Sequence, residues 1–295
     1  MAVPQMPTKW ITPPGGQADL TSRFNMIAFV SEMTGRINVA DFQLAATLEC
    51  GQAFRWRREA DGWYVGVVAR QRMRVRQVGD VLEGDVDCHY FALDRSLRKI
   101  VATFPPEPAL QAAVRRHWGL RVLRQEPWET LASFIASSSK QITQIRHIVE
   151  LLAQRFGDPL WNGACCFPSA STIARTTEKE LRACKLGFRA PYLLAAARAV
   201  DSGRLDLDGL RRMELARARE ELLKLDGVGE KIADCVLLFS CGHDAAFPVD
   251  VWMKRALHRM KRRVDFGPYA GWAQQYLFHA ERVASGRASG HNLAS

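Results

Sequence analysis

The apolar residues of this chain change period once, near residue 90, and that switch confines it to an α+β architecture. Over residues 39–86 the period is two. Phe54-Arg55-Trp56 leads to an Asp61-Gly62 turn and then to Trp63-Tyr64-Val65. Met73 and Val75 alternate with Arg72, Arg74 and Arg76 before a Gly79-Asp80 turn and Val81-Leu82. Such turns between alternating runs are hairpin signals, so residues 37–89 read as an antiparallel β-sheet domain. Its outward arginines read most simply as a solvated face, with a phosphate-facing role as the alternative. From Tyr90 the spacing is helical. It predicts helices over 93–104, 108–118, 128–135, 142–156, 170–174, 178–186 and 190–200, then 213–223, 230–240, 251–262 and 269–285. The predicted fold is an N-terminal sheet followed by a mainly α-helical body over 90–295. Residues 1–36, rich in Pro and Gly and then apolar around 26–30, read as an N-terminal extension, with Met26 and Met33 as alternative starts.

Charge and cysteine usage narrow the class. Forty-one Lys and Arg against 31 Asp and Glu leave a surplus of ten positive charges, which suggests a polyanionic partner. With 47% hydrophobic residues the chain is not disordered throughout, and no apolar run reaches the ~18 residues of a membrane span. The start lacks the apolar core of a signal peptide, so a soluble chain of the cytoplasm or nucleoid is expected, with no membrane partner. The seven cysteines contain no C-x-x-C, which disfavours zinc and redox sites and leaves reduced thiols. No metal or cofactor is expected, and a monomer is the simplest assembly.

The segment that carries chemistry is Leu223-Lys224-Leu225-Asp226-Gly227-Val228-Gly229-Glu230-Lys231-Ile232-Ala233-Asp234-Cys235. It reads as a helix–hairpin–helix over about 213–240. Gly227 and Gly229 allow a tight turn with exposed N–H groups, and the following helix adds its positive dipole end, an anion site. Lys231 falls in the first turn of an otherwise apolar helix, a setting for an amine nucleophile, although a lone lysine there commonly snorkels to solvent. Nineteen residues on, Phe247-Pro248-Val249-Asp250-Val251 places Asp250 as the N-cap of another helix, a rigid carboxylate.

Leu-x-Gly-Val-Gly-x-Lys-x-Ala followed at this spacing by Pro-Val-Asp resembles the helix–hairpin–helix DNA glycosylase superfamily, with the lysine of its bifunctional branch. Further segments resemble the 8-oxoguanine DNA glycosylase/AP lyase family. These are Cys50-Gly51-Gln52-Ala53-Phe54-Arg55-Trp56, Leu123-Arg124-Gln125-Glu126-Pro127, Phe134-Ile135-Ala136-Ser137-Ser138, Leu186-Gly187-Phe188-Arg189-Ala190 and Gly271-Trp272-Ala273-Gln274. They stand in the family's order over about residues 40–285.

The resemblance implies a partner, duplex DNA containing an oxidised purine, and a role for each matching residue. Lys231 would attack C1′ and Asp250 would stabilise charge on the sugar. Gly51 would offer its carbonyl to the N7–H that 8-oxoguanine has and guanine lacks. Phe278 and Cys235 would clamp the purine and Gln274 would read its edge. Phe188 would fill the stack, and Arg189 would read the opposite cytosine. Ser139, Lys140 and Gln141 stand where eukaryotic members carry an asparagine run, Gln144 stands for an arginine, and Trp252 for a histidine. These departures look bacterial and imply a relaxed preference for the base opposite. A related glycosylase for another lesion, or a non-catalytic DNA-binding module, is the alternative. Lys254, Arg255, Arg259, Lys261, Arg262 and Arg263 place much of the charge surplus beside Asp250.

Overall fold

The structure is a computed structural model that describes residues 34–138, 140–160, 163–260 and 264–286. Its sheet contains β1 (Thr34–Asn38), β2 (Arg57–Arg58), β3 (Tyr64–Val68), β4 (Gln71–Val78) and β5 (Val81–Asp85), all antiparallel in the order β1-β5-β4-β3-β2. The alternation in β4 sets its two faces: Met73 and Val75 are buried, with Val75 opposite Tyr64. On the other face Arg74 and Arg76 lie 4.2 and 4.7 Å from the Trp63 ring and pair with Glu59, Asp61 and Glu83. Those arginines are neutralised within the sheet, which favours the solvated-face reading. β1 begins at Thr34, inside the segment read as an extension.

The period-two reading of 39–86 needs one correction. Leu44–Glu49 is a helix, α1, and Phe54-Arg55-Trp56 lies outside any strand. Leu44, Ala46, Thr47 and Leu48 are all buried, so the segment has no polar face to reveal a helical period.

The helical body continues through α2 (Leu97–Val101), α3 (Pro108–Arg116), α4 (Pro127–Ser137) and α5 (Ile142–Phe156). The short α6 (Ala170–Ala174) and α7 (Glu178–Ala183) precede α8 (Ala190–Asp201). The last four helices are α9 (Leu215–Leu223), α10 (Glu230–Ser240), α11 (Val251–Arg259) and α12 (Ala270–Ala284). The central helix is α10, buried from Ile232 to Ser240. It packs on α4, where Phe134 stacks on Phe239 at 5.6 Å between ring centres. No helix among the described residues is long and apolar enough to cross a membrane.

Candidate active site

The hairpin between α9 and α10 turns on two different glycines. Gly227 adopts φ +80°, and a Cβ there would lie 2.5 Å from the Tyr192 ring, so left-handed backbone and close approach both demand glycine. Gly229 is the extended N-cap of α10 and opens to solvent, leaving its N–H end accessible. Val228 between them is buried and anchors the turn. Arg219 of α9 donates to the Asp234 carboxylate of α10 at 2.7 Å, which ties the two arms together.

That framework places Lys231 on the edge of the core rather than in open solvent. Its Nζ lies 3.3 Å from Ser137 Oγ and 5.0 Å from the centre of the Phe134 ring, both on α4. One turn further along α10 is Cys235, 3% exposed, its thiol pushed up to about 12 by burial. The charges of both Lys231 and Asp250 act on this thiol, so the three residues share one locality. Asp250 caps α11, as its sequence position predicts: Oδ1 accepts the Met253 N–H at 2.9 Å.

Gly51 sits in the turn after α1 with φ +85°. A Cβ there would lie 2.8 Å from Ile142 Cδ1, 3.4 Å from Arg282 Nη1 and 3.6 Å from Phe278 Cε1. The neighbouring carbonyls are held by side chains. Arg282 donates to Glu49 at 3.2 Å, Gln275 to Cys50 at 3.2 Å and Gln125 to Gln52 at 2.8 Å. Gln274, 3% exposed, donates through Nε2 to the Pro248 carbonyl at 3.0 Å, two residues before Asp250. Its Oε1 is buried without a partner among the described residues, an acceptor that a donor-bearing ligand would satisfy.

The residues expected to meet DNA divide. Phe188, on a 3-10 turn before α8, is 59% exposed, as a wedge requires. Arg189 is 3% exposed instead. It donates to the Ser138 carbonyl and lies 4.3 Å from the Phe188 ring, so in this conformation it packs beneath Phe188. Gln141 is exposed at the start of α5, and its N–H donates to Gln144 Oε1 at 3.1 Å. Gln144, in the place of an arginine, is therefore occupied with its own helix end. Lys140 is half-buried, and Ser139 lies outside the described residues. Trp252 is half-buried, with Arg255 5.1 Å from its ring. Lys254 and Arg255 are exposed, whereas Arg259 pairs with Glu281 of α12. Lys261, Arg262 and Arg263 are outside the described residues.

Three side chains at the site carry no role in the sequence reading: Phe134, Ser137 and Arg282. The first two lie in a motif already singled out. Arg282 falls one turn after Phe278 and two after Gln274, a spacing that puts all three on one face of α12.

The helix–hairpin–helix that carries Lys231, followed by the helix that Asp250 caps, lies in residues 132–265, which match the HhH-GPD superfamily of base excision DNA repair proteins. Residues 36–131 match the 8-oxoguanine DNA glycosylase N-terminal domain. The chain belongs to the 8-oxoguanine DNA glycosylase family. It is 30% identical to the N-glycosylase/DNA lyase OGG1 of Arabidopsis thaliana, over 84% of this chain and 80% of that protein. The 8-oxoguanine glycosylase/lyase of Clostridium acetobutylicum, solved with duplex DNA containing cytosine opposite 8-oxoguanine, superposes with TM-score 0.79. It is 32% identical, over 84% of this chain and 94% of that one. MBOgg1 bound to a low-affinity DNA ligand superposes with TM-score 0.80 at 35% identity, over 85% and 96%.

Proposed function

We propose that the chain is a bifunctional 8-oxoguanine DNA glycosylase/AP lyase acting on duplex DNA, with formamidopyrimidine as a second substrate. The observation that carries this reading is Lys231 in the first turn of α10, held beside Ser137 and Phe134 at the end of the Gly227–Gly229 hairpin, with Asp250 fixed as the N-cap of α11. C1′ is shielded in the duplex, so the nucleotide is first extruded, with Phe188 filling the gap. Phe278 and Cys235 clamp the purine, Gln274 reads its edge, and the Gly51 carbonyl accepts N7–H. The Lys231 amine then attacks C1′ and the C1′–N9 electron pair leaves with the base. Asp250 offsets the positive charge that develops on the sugar. The resulting Schiff base permits β-elimination of the 3′ phosphate.

Specificity for the opposite base is relaxed. Arg189 is drawn under Phe188 and donates to the Ser138 carbonyl, so one donor that could read cytosine is engaged within the protein, and Gln144, in the place of an arginine, accepts through Oε1 from its own helix end. Hairpin N–H groups with Lys254 and Arg255 supply salt-dependent contacts to phosphates.

Borohydride trapping on an 8-oxoguanine duplex tests the chemistry, with Lys231→Gln as control and base release measured in parallel. Wild-type protein is expected to trap and the variant not. Trapping only on other lesions would favour a different glycosylase, and neither trapping nor base release would favour a binding module. Similar excision opposite A, G, T and C is expected; strict dependence on cytosine would overturn the relaxed preference.

A further inference from the structure

A cavity of about 280 Å³ opens between the β2 edge of the sheet and α5, lined by Arg55, Arg57, Val65, Val67, Arg72 and Glu150. Arg57 stands opposite Val65 across β2 and β3, and Arg72 opposite Val67 across β3 and β4, so these four side chains share one face of the sheet. Glu150 lines the cavity from α5, eight residues beyond Ile142, the side chain beside Gly51. At a rise of about 1.5 Å per residue that is about 12 Å along the helix, which separates the cavity from the base pocket.

Arg55 is the buried member of this group. Its side chain is 5% exposed, Nη2 donates to the Cys165 carbonyl at 2.5 Å, and Nε and Nη1 are buried without a hydrogen-bond partner. Buried donors left unpaired cost free energy, so they call for an acceptor. Glu150 stands 3.9 Å from Arg55 Nη2 but is nearly half-exposed, and its Oε1 already accepts from Gln154 at 3.0 Å. Glu129 also acts on Arg55, yet no hydrogen bond or ion pair joins them among the described residues, and burial pushes its carboxyl up to about 7. Arg74 and Arg76, on the same sheet face, are paired with acids. Arg57 and Arg72 are exposed and form no ion pair among the described residues. Three guanidiniums against the Glu150 carboxylate leave a local surplus of two positive charges.

We propose that this cavity is an anion site, separate from the base pocket, that binds a phosphate monoester group through Arg55, Arg57 and Arg72. A monoester carries a charge of about −1.5 to −2 at neutral pH and offers three acceptor oxygens, which matches both the surplus and the number of guanidiniums. An internucleotide diester carries a single charge and matches less well. Arg55 supplies the buried donors, and Arg57 and Arg72 flank the mouth from the sheet. Val65 and Val67 make one wall apolar, which lowers the local dielectric and strengthens charged hydrogen bonds. The volume falls just below the roughly 300–1,000 Å³ of pockets for drug-sized ligands, so the occupant is small. Free phosphate compounds and the 5′-phosphate of a DNA end share this chemistry, and the test separates them.

Isothermal titration calorimetry with inorganic phosphate and with dGMP, at an ionic strength fixed with chloride, measures the first source. Fluorescence anisotropy of an undamaged duplex with and without a 5′-phosphate measures the second. The full chain is expected to bind at least one of these monoester probes at a single saturable site. Arg57→Gln and Arg72→Gln are each expected to weaken that binding about tenfold, the size of one lost charge-assisted hydrogen bond. Stability to urea should stay unchanged in both, and Arg74→Gln, which removes an arginine already paired, should bind like wild type. Arg55→Met should abolish binding; if it fails to fold, the two exposed variants still decide the question. Binding of phosphate and dGMP with no preference for the phosphorylated duplex assigns the site to free phosphate compounds. A preference for the phosphorylated duplex that Arg72→Gln removes assigns it to DNA ends. No saturable binding of any probe, or binding that survives the loss of both Arg57 and Arg72, would overturn the proposal.

Discussion

Lys231 Nζ and Ser137 Oγ lie 3.3 Å apart, joining the first turn of α10 to the last turn of α4. The contact keeps a flexible four-carbon side chain in one place before substrate arrives, which lowers the ordering cost of attack. Ser137→Ala is expected to slow borohydride trapping about fivefold, near 1 kcal/mol in the barrier, with folding stability little changed. Single-turnover trapping and urea denaturation check the two halves of that statement.

Gly51→Ala places a Cβ in left-handed backbone and 2.8 Å from Ile142 Cδ1. Backbone strain alone costs about 1–2 kcal/mol. Denaturation should show that loss, and discrimination between 8-oxoguanine and guanine should fall, because the displaced turn carries the carbonyl proposed to read N7–H. Adding Ile142→Ala removes the clash but not the strain, so the double variant should recover stability only in part. Full recovery would show that the clash alone mattered.

His117 and His279 meet with ring centres 4.5 Å apart, and both are buried. Burial, then the neighbouring His117 and Arg282, holds His279 down at about 3, and burial with Arg116 lowers His117. The folded state keeps these rings neutral while the unfolded chain binds protons near pH 6.5. Stability from this source is complete above pH 6.5 and is lost as pH falls toward 3, by at most about 1.4 kcal/mol per pH unit for each ring. His279→Phe should flatten that decline between pH 7 and 5 in chemical denaturation. An unchanged slope would contradict the assignment.

Arg219 and Asp234 form the pair that braces the hairpin, with the Asp234 side chain almost wholly enclosed. Arg219→Met leaves a buried carboxylate unpaired and should destabilise the protein by about 2 kcal/mol. Asp234→Asn combined with it removes the charge, so the double variant should be more stable than Arg219→Met alone. A double-mutant cycle measures the coupling.

The hairpin, Lys231 and the Asp250 cap were legible in the sequence because each depends on residues a few positions apart. A Gly-x-Gly turn, a helix start and an N-cap are set by local backbone geometry. The sheet was legible where one of its faces is buried, and α1 was not, because its exposed position is Ala45, an apolar residue that gives no periodic signal. Arg189 shows the other limit: its motif position suggests contact with DNA, while packing under Phe188 and the Ser138 carbonyl places it inside. Arg282 comes from α12, and nothing local to it predicts that its guanidinium reaches the space beside Gly51. Local rules select turns and caps, whereas long-range packing determines which charges become neighbours and how far water is kept from them.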